Sequence, residues 1–223
     1  MSKLPLFPLP ETVVFPGMAL PLFVFEERYK RMIRDCVEQN QQRLVIVLAK
    51  SAAPLEMSDR LEEAPLPPTY EVGTYVDLLS VSENPDGTYN ILTHGQERCR
   101  INVADRVSVT ETDGSTSHLY YSEDAPERLE RDDPNLERVS AWDTLDTFRT
   151  YAETFFAFDA LEQIEEALPD DLLYQASFIC ANLRVPASER QEMLEARSLA
   201  QRFEIAQRLM KAYLEAHSAD RVE

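Results

Sequence analysis

The histidines are the side chains of this sequence best suited to transfer a proton near neutral pH, because imidazole titrates in that range. They are His94, His118 and His217, far apart in the chain. His94 is the best candidate of the three, since it precedes Gly95 and is predicted to lie in a turn. Neither the nucleophile motif G-x-S-x-G nor the zinc motif H-E-x-x-H occurs in the sequence. We therefore predict no catalytic residue and no enzyme.

The lysines exclude a phosphate-binding P-loop. That motif needs a glycine directly before a lysine, so that backbone N–H groups and the ammonium surround the phosphates. No glycine of this chain is followed by lysine. Lys50 and Ser51 are neighbours, but adjacent side chains of a strand point to opposite faces, which disfavours a Ser-Lys dyad.

Neither the cysteines nor the acidic pairs predict a metal or cofactor site. The 3 cysteines, Cys36, Cys99 and Cys180, are widely spaced and form no C-x-x-C pair, so reduced thiols are the simplest interpretation. Among 40 acidic residues, adjacent pairs such as Asp132-Asp133 are expected by chance and are interpreted as solvated surface. Asp170, which follows Pro169, is better interpreted as a helix cap. No cofactor is predicted.

The charge of the chain disfavours anionic partners. The formal net charge is -18 and the sequence pI is near 4.6, which repels nucleic-acid phosphates and anionic membranes. The apolar N-terminal segment is interrupted by five prolines, so neither a signal peptide nor a spanning helix is predicted. We expect a cytoplasmic protein that binds neither nucleic acid nor membrane.

Glycine and proline divide the chain into a β-rich half and a helical half. The last glycine is Gly114, and most of the 14 prolines lie at or before Pro85. Alternating and β-branched residues predict strands over 43–50, 70–81, 88–93, 98–109 and 118–121, with a turn at 84–87. One helix is predicted over 26–39, with an inward face of Tyr29, Met32, Ile33, Cys36 and Val37.

Three apolar series predict helices after residue 126. The first series is Leu136, Val139, Trp142, Leu145, Phe148, Ala152 and Phe155, and the second is Leu173, Ala176, Cys180 and Leu183. The last helix is predicted from Pro186, with a capping box at Ser188 and Gln191 and a stripe of Ala196, Leu199, Phe203, Ala206, Met210 and Tyr213. Burial of this stripe within the molecule is favoured over a dimer seam, and both a monomer and a homodimer stay open.

The N-terminal segments resemble the substrate-binding N-terminal domain family of Lon proteases. The resemblance rests on three N-terminal runs: Leu4-Pro5-Leu6-Phe7-Pro8-Leu9, Val13-Val14-Phe15-Pro16-Gly17 and Leu20-Pro21-Leu22-Phe23-Val24-Phe25-Glu26. It continues through Arg28-Tyr29, Met32, Val72-Gly73-Thr74, Asp86-Gly87-Thr88-Tyr89, Gly95, Arg98 and the helical tail. The resemblance implies an α+β fold: a PUA-like six-stranded β-barrel-type domain with one helix over 1–125, then a C-terminal α-helical bundle over 126–223.

The resemblance also implies a function, namely a non-catalytic module that binds unfolded or partly unfolded protein or peptide. Such a module would act as an adaptor or regulator in proteolysis, with a protease as a further partner. Full-length Lon proteases add ATPase and protease modules, whose motifs this sequence does not contain. The candidates for peptide contact lie in a proline-rich segment over 51–69 and are Leu55, Met57, Leu61 and Leu66.

The signature residues are expected to be architectural. Phe15, Pro16 and Gly17 predict a tight turn with a positive φ at Gly17. Glu26, Arg28 and Tyr29 are expected to tie the following helix to the sheet through charge-assisted hydrogen bonds. Two other classes of function stay open. One is an RNA-binding PUA-like protein, which the net charge disfavours, and the other is an unrecognised hydrolase.

Overall fold

A computed structural model describes residues 3–39, 41–50, 69–110, 114–123, 125–155, 168 and 170–219. The chain divides into two compact units, Met1–Arg128 and Leu129–Glu223. The predicted α+β class is confirmed, since strands occupy the first unit and the second unit is helical in its described part.

Eight strands and one helix make up the described part of the first unit, so the expected number of six strands is wrong. The elements are β1 (Leu4–Leu9), β2 (Ala19–Val24), α1 (Glu27–Glu38), β3 (Arg43–Leu48), β4 (Val72–Glu83), β5 (Tyr89–Arg100), β6 (Val103–Thr110), β7 (Thr116–Ser122) and β8 (Ala125–Pro126). The additional strands come from two features. The segment 98–109 divides between β5 and β6, and β8 is only two residues long.

The strands form one sheet in the order β2-β5-β4-β3-β1-β7-β6, and β8 pairs with β5. The β1–β3 pair is parallel and the other pairs are antiparallel. One apolar cluster contains Val24 and Ile91 from one end of this order and Val109 and Leu119 from the other. The sheet therefore curls, because residues near its two ends share one core.

The centre of the sheet is β3, whose continuous apolar run is buried on both faces. Leu44 and Ile46 belong to the cluster beneath α1, whereas Val45 and Val47 belong to a second cluster on the opposite face. This division follows from the two-residue period of a strand. A run with no polar alternation is thus the pattern of a doubly covered strand.

The prolines of β1 lie where that strand is paired on one side only. Pro5 falls in the portion that pairs with β7, and Pro8 in the portion that pairs with β3. Leu6 is the one residue that has a partner in both strands. A proline has no N–H to donate, so it is tolerated where one side of the strand needs no ladder bond.

The predicted tight turn at Phe15-Pro16-Gly17 is present and packs against β5. Gly17 has φ 83°, and the Met18 N–H donates to the Phe15 carbonyl at 3.2 Å. The Gly17 N–H donates to the Gly95 carbonyl at 2.8 Å, and the Gly95 N–H donates to the Met18 carbonyl at 2.8 Å. A Cβ at Gly95 would overlap the Phe15 carbonyl oxygen, so only glycine fits there.

The described part of the second unit contains four helices: α2 (Pro134–Ala152), α3 (Leu172–Asn182), α4 (Ala187–Glu195) and α5 (Leu199–Ala219). Asp171, not Asp170, caps α3 by accepting from the Leu173 and Tyr174 N–H groups. The pair Asp132-Asp133 is also a capping pair: Asp133 accepts from the Asn135 N–H in α2, and Asp132 accepts from the Ala200 N–H in α5. Asp133 is nevertheless exposed, as the interpretation of the pair as solvated surface predicts, whereas Asp132 is partly buried.

The predicted single C-terminal helix is two helices. Ala196 is extended (ψ 137°). The α5 helix begins after Ser198, whose hydroxyl oxygen accepts from the Gln201 N–H at 3.3 Å. The predicted capping box at Ser188 is wrong, because α4 begins without a side-chain cap. Arg202, which is fully buried, donates to the carbonyls of Met193 and Leu194 in the last turn of α4. A cation is favourable at a helix C-terminus, so Arg202 stabilises the break.

The apolar series of α5 and of α2 differ in whether their residues are buried. The predicted stripe is buried from Leu199 to Met210, because alternating steps of three and four stay on one face of α5. Its first member, Ala196, is buried but precedes α5, and its last member, Tyr213, is only partly buried. The α2 series begins with exposed Leu136, Val139 and Trp142 and reaches buried Phe148. Repeated steps of three shift the phase by about 60° each, so the series winds around the helix instead of following one face.

The contact between Gly95 and Phe15 predicts a large effect of adding one methyl group. Gly95→Ala should lower the free energy of unfolding by about 3 kcal/mol. The added methyl group would overlap backbone atoms, and the two backbone segments cannot move apart without losing the hydrogen bonds between them. Gly87→Ala is the control: Gly87 has a positive φ of 78°, but nothing lies within 4 Å of its added Cβ. It should cost about 1 kcal/mol. Equal losses in urea denaturation would contradict the close approach.

Candidate functional site

The signature residues at the start of α1 form a local structural cluster. The Arg28 guanidinium donates to one Glu26 carboxylate oxygen at 3.0 and 2.7 Å and lies 4.5 Å from the centre of the Tyr29 ring. Tyr29 in turn packs on Phe7 of β1, with ring centres 4.5 Å apart. The expected charge-assisted bond is therefore internal to the helix start, and an aromatic contact joins the helix to the sheet. Burial raises the pKa of Tyr29 to about 12.

The other basic residues of α1 have acidic or phenolic partners, which argues against an anion site on this helix. Lys30 pairs with Glu27 at 2.5 Å, and Arg31 pairs with Asp35 at 3.7 Å. Arg34 hydrogen-bonds to Tyr89, which raises the pKa of its guanidinium. Val37, predicted on the inward face, is 57% exposed, whereas Tyr29, Met32, Ile33 and Cys36 are buried as predicted.

The histidines do not converge on a catalytic arrangement in the described residues. His94 lies inside β5 and not in a turn, and its Nδ1 is 2.7 Å from the Gln96 amide nitrogen. His118 is buried in β7, and burial, reinforced by Arg106 and Arg28, lowers the pKa of its imidazole. His217 stacks on Tyr213 of the same helix.

The cysteines are buried free thiols. Burial raises the pKa of Cys36 to about 11 and that of Cys180 to about 12, so both thiols stay protonated at neutral pH. Among the residues that the structure describes, no three His, Cys, Asp or Glu side chains are grouped so as to hold a metal ion.

The most prominent candidate binding surface in the first unit lies on β2. Phe23 is 57% exposed and Phe25 is 63% exposed, and their rings stack with centres 6.1 Å apart. Leu20 and Leu22 point instead towards the core cluster, as the two-residue period requires. Large aromatic side chains left in solvent as a pair are typical of a surface that contacts a partner.

The backbone of β2 presents a second set of groups beside these rings. Pro21 faces Leu92 of β5 and has no N–H, so this pair cannot exchange ladder bonds. Ala19, Pro21 and Phe23 therefore direct their remaining N–H and C=O groups away from β5. The bond from the Gly95 N–H to the Met18 carbonyl agrees with this alternation, because Met18 is an odd number of residues away from Ala19, Pro21 and Phe23 and so faces β5. The strand order ends at β2, so within the described residues no strand pairs with that side.

The outer face next to Phe23 is also apolar in part. Pro21 lies directly opposite Leu92, and opposed residues of an antiparallel pair share one face of the sheet. Leu79, which is 57% exposed, lies at a register shift in β4, the strand on the other side of β5. We call the set Pro21, Phe23, Phe25 and Leu92, with the outward backbone of β2, the β2 surface.

Sequence reasoning assigned this segment to architecture and did not single out Phe23 or Phe25. The signal was present: Leu20-Pro21-Leu22-Phe23-Val24-Phe25 is apolar at both phases of its alternation and contains no charge. In a doubly covered strand that pattern indicates burial, but in an edge strand it indicates an exposed apolar face. The predicted contacts Leu55, Met57, Leu61 and Leu66 lie outside the described residues and stay predictions.

The first unit belongs to the class of domains in which a mixed sheet presents an exposed apolar edge. The chain belongs to the family described as the ATP-dependent protease La (LON) substrate-binding domain, whose model matches residues 3–212. This match covers both units of the chain.

Relatives of known sequence and structure agree with that family. The Lon protease of Brucella suis is 28% identical over 206 residues, which cover 92% of this chain but only 23% of the relative. A Lon protease of Vibrio parahaemolyticus is 34% identical over 100 residues. The N-terminal domain of Mycobacterium avium complex Lon protease has a TM-score of 0.66 at 12% identity, covering 94% of this chain and 98% of that one.

A Lon N-terminal domain protein from Xanthomonas campestris has a TM-score of 0.55 at 21% identity and covers 92% of this chain and 96% of that one. At these identities the solved structures support the fold alone. Within the described residues of this chain, none of the helices has the length and apolar composition needed to cross a membrane.

The buried phenol of Tyr29 predicts a loss of stability in alkali. Its pKa is raised from 10 to about 12 in the folded protein, so the contribution is complete below pH 10 and falls as pH rises from 10 to 12. About 2–3 kcal/mol is at stake, at roughly 1.4 kcal/mol per pH unit. Urea denaturation between pH 9 and about 12 should show a smaller decline for Tyr29→Phe. An unchanged slope in this variant would mean that Tyr29 ionises as freely as in the unfolded chain.

Proposed function

We propose that this chain binds exposed apolar segments of unfolded or partly unfolded polypeptides at the β2 surface. The observation that carries the proposal is the pair of stacked, solvent-exposed rings of Phe23 and Phe25 beside the outward backbone of an edge strand. An extended polypeptide would add a strand next to β2 and place alternate apolar side chains on the rings. The family to which the chain belongs supports protein substrates as the ligand class.

The rings supply enough apolar surface to explain measurable binding. Full burial of a phenylalanine side chain stabilises by about 1.5–3 kcal/mol, and more than half of each ring is still exposed here. Covering both rings would therefore contribute about 2–3 kcal/mol, or roughly 30- to 150-fold in affinity. Main-chain hydrogen bonds to β2 would add alignment and a further contribution.

The net charge of -18 gives the binding a preference among apolar segments. Client segments flanked by Lys or Arg would be attracted, and acidic clients repelled, with an effect that weakens as salt screens the field. The apolar contribution would persist at high salt. Nucleic-acid binding would instead weaken steeply with salt, so a salt series separates the two classes of ligand.

The test is the affinity for a fluorescently labelled, permanently unfolded protein, such as reduced and carboxymethylated lactalbumin, measured by anisotropy. The double variant Phe23→Ser with Phe25→Ser should raise Kd at least about tenfold. Val37→Ser is the matched control, because Val37 is also 57% exposed in the first unit but lies on α1. Equal affinity of wild type and double variant would place the binding elsewhere, for which the segment 51–69 is the next candidate.

The strand-pairing component has its own test. A short apolar peptide with N-methyl groups at alternate backbone nitrogens cannot donate to β2, although its side chains are unchanged. Its affinity should fall for the phase of methylation that faces β2 and stay near that of the unmethylated peptide for the opposite phase. If both phases bind equally, the peptide contacts the rings without extending the sheet.

We further infer an adaptor or regulator role in proteolysis, because the chain belongs to the substrate-binding family of an ATP-dependent protease. Degradation of an unfolded client by a Lon protease should change when this chain is added in trans. The Phe23→Ser, Phe25→Ser variant should leave the rate unaltered, because it no longer holds the client.

A further inference from the structure

The outward face of α2 exposes two large apolar side chains to solvent. Trp142 is 72% exposed and Val139 is 57% exposed, on the side of the helix opposite buried Ala141, Thr144 and Phe148. A soluble helix normally places such residues inward, and here the inward face is already complete without them. The other helices of the second unit therefore leave this face uncovered.

The residues around Trp142 recur at the spacing of a helix–helix seam. Asn135 lies seven residues before Trp142, and Arg149 lies seven residues after it. The positions three and four residues from Trp142 complete this seven-residue pattern. They are Arg138 and Val139 on one side and Leu145 and Asp146 on the other. We call these seven residues the α2 outer face.

Two of the three charges on the α2 outer face are arranged symmetrically about Trp142, and the third, on Arg149, has uncharged Asn135 as its counterpart. Arg138 lies four residues before it, and Asp146 lies four residues after it. The Arg138 and Asp146 side chains form no ion pair with any described residue. Arg138 donates to the Pro134 carbonyl at 3.2 Å and approaches the Asn135 side chain. The hydroxyl of Thr150 donates to the backbone carbonyl of Asp146, not to its carboxylate. Opposite charges at equal distances from one centre make the face complementary to itself.

We propose that the α2 outer face binds a second copy of this chain, with the two helices antiparallel and the Trp142 side chains adjacent to the two-fold axis. In an antiparallel pair, the residue four places before the centre faces the residue four places after it. Arg138 then meets Asp146 of the partner subunit, and the same contact recurs on the other side of the axis. Val139 meets Leu145 of the partner subunit by the same rule.

The self-complementary charge pattern favours a second copy over an unrelated partner. A different protein would need to match Arg138 and Asp146 separately, whereas the two-fold satisfies both with residues already present. The contact is small, because one helix pair buries well under the roughly 800 Å² per subunit of a stable interface. The dimer should accordingly be weak and should form at high protein concentration.

Trp142 provides a direct probe, since it is the only tryptophan of the chain. Between about 10 µM and about 1 mM, its emission maximum should shift to shorter wavelength, in parallel with the monomer–dimer transition in sedimentation velocity. Arg138→Asp and Asp146→Arg should each weaken the dimer at least about tenfold, because each places two like-charge pairs at the interface. Asp143→Arg is the matched control: it makes the same charge change on α2, but its two-fold mate is buried Ala141.

The mixture of the two single variants tests the antiparallel register. An Arg138→Asp chain and an Asp146→Arg chain restore both opposite-charge contacts when paired with each other, so a heterodimer should form where neither variant dimerises alone. The double variant should also recover. A chain that stays monomeric throughout the concentration range overturns the proposal. So does a dimer that is indifferent to these charges or that is not restored by mixing.

Discussion

The contact between the turn at Phe15–Met18 and Gly95 is the constraint on which the described binding surface depends. Two backbone hydrogen bonds hold the turn against the strand, and the missing Cβ of Gly95 lets the Phe15 carbonyl approach. Together they fix Ala19 opposite His94, which sets the register of β2 for its whole length. A shift of one residue would turn Leu20, Leu22 and Val24 outward and bury Phe23. The apolar surface and the core are therefore determined by the same contact.

The position of β2 at the end of the sheet gives these outward residues their significance. Natural proteins usually protect an edge strand with charge, proline or a covering element. The opposite edge, β6, carries Asp105 and Arg106, whereas β2 has only Pro21, which removes one N–H and leaves the carbonyl groups. An edge without charge beside two stacked rings suits a partner that itself has exposed apolar side chains and unpaired backbone. Unfolded polypeptide has both.

The helical unit shows how phase decides which apolar residues are core. In α5 the steps of three and four keep Leu199, Phe203, Ala206 and Met210 buried. Buried Arg202 stabilises the preceding break by donating to the carbonyls at the end of α4. In α2 the steps of three carry the apolar series from solvent into the core. Small and polar residues such as Ala141 and Thr144 are therefore buried in the core, whereas Trp142 is exposed to solvent.

The sequence by itself determined the α+β class, the tight turn at Gly17, the burial of most of the α5 stripe, and membership of the family, because local turn chemistry and sustained periodicity act within a few residues. It also indicated that the cysteines are unpaired. It did not determine the strand count, the exposure of Val37, the cap at Asp171 or the exposure of Phe23 and Trp142. An apolar residue looks the same in a sequence whether its strand lies in the middle of a sheet or at its edge. Only the tertiary structure decided that, because exposure depends on which neighbour covers each face.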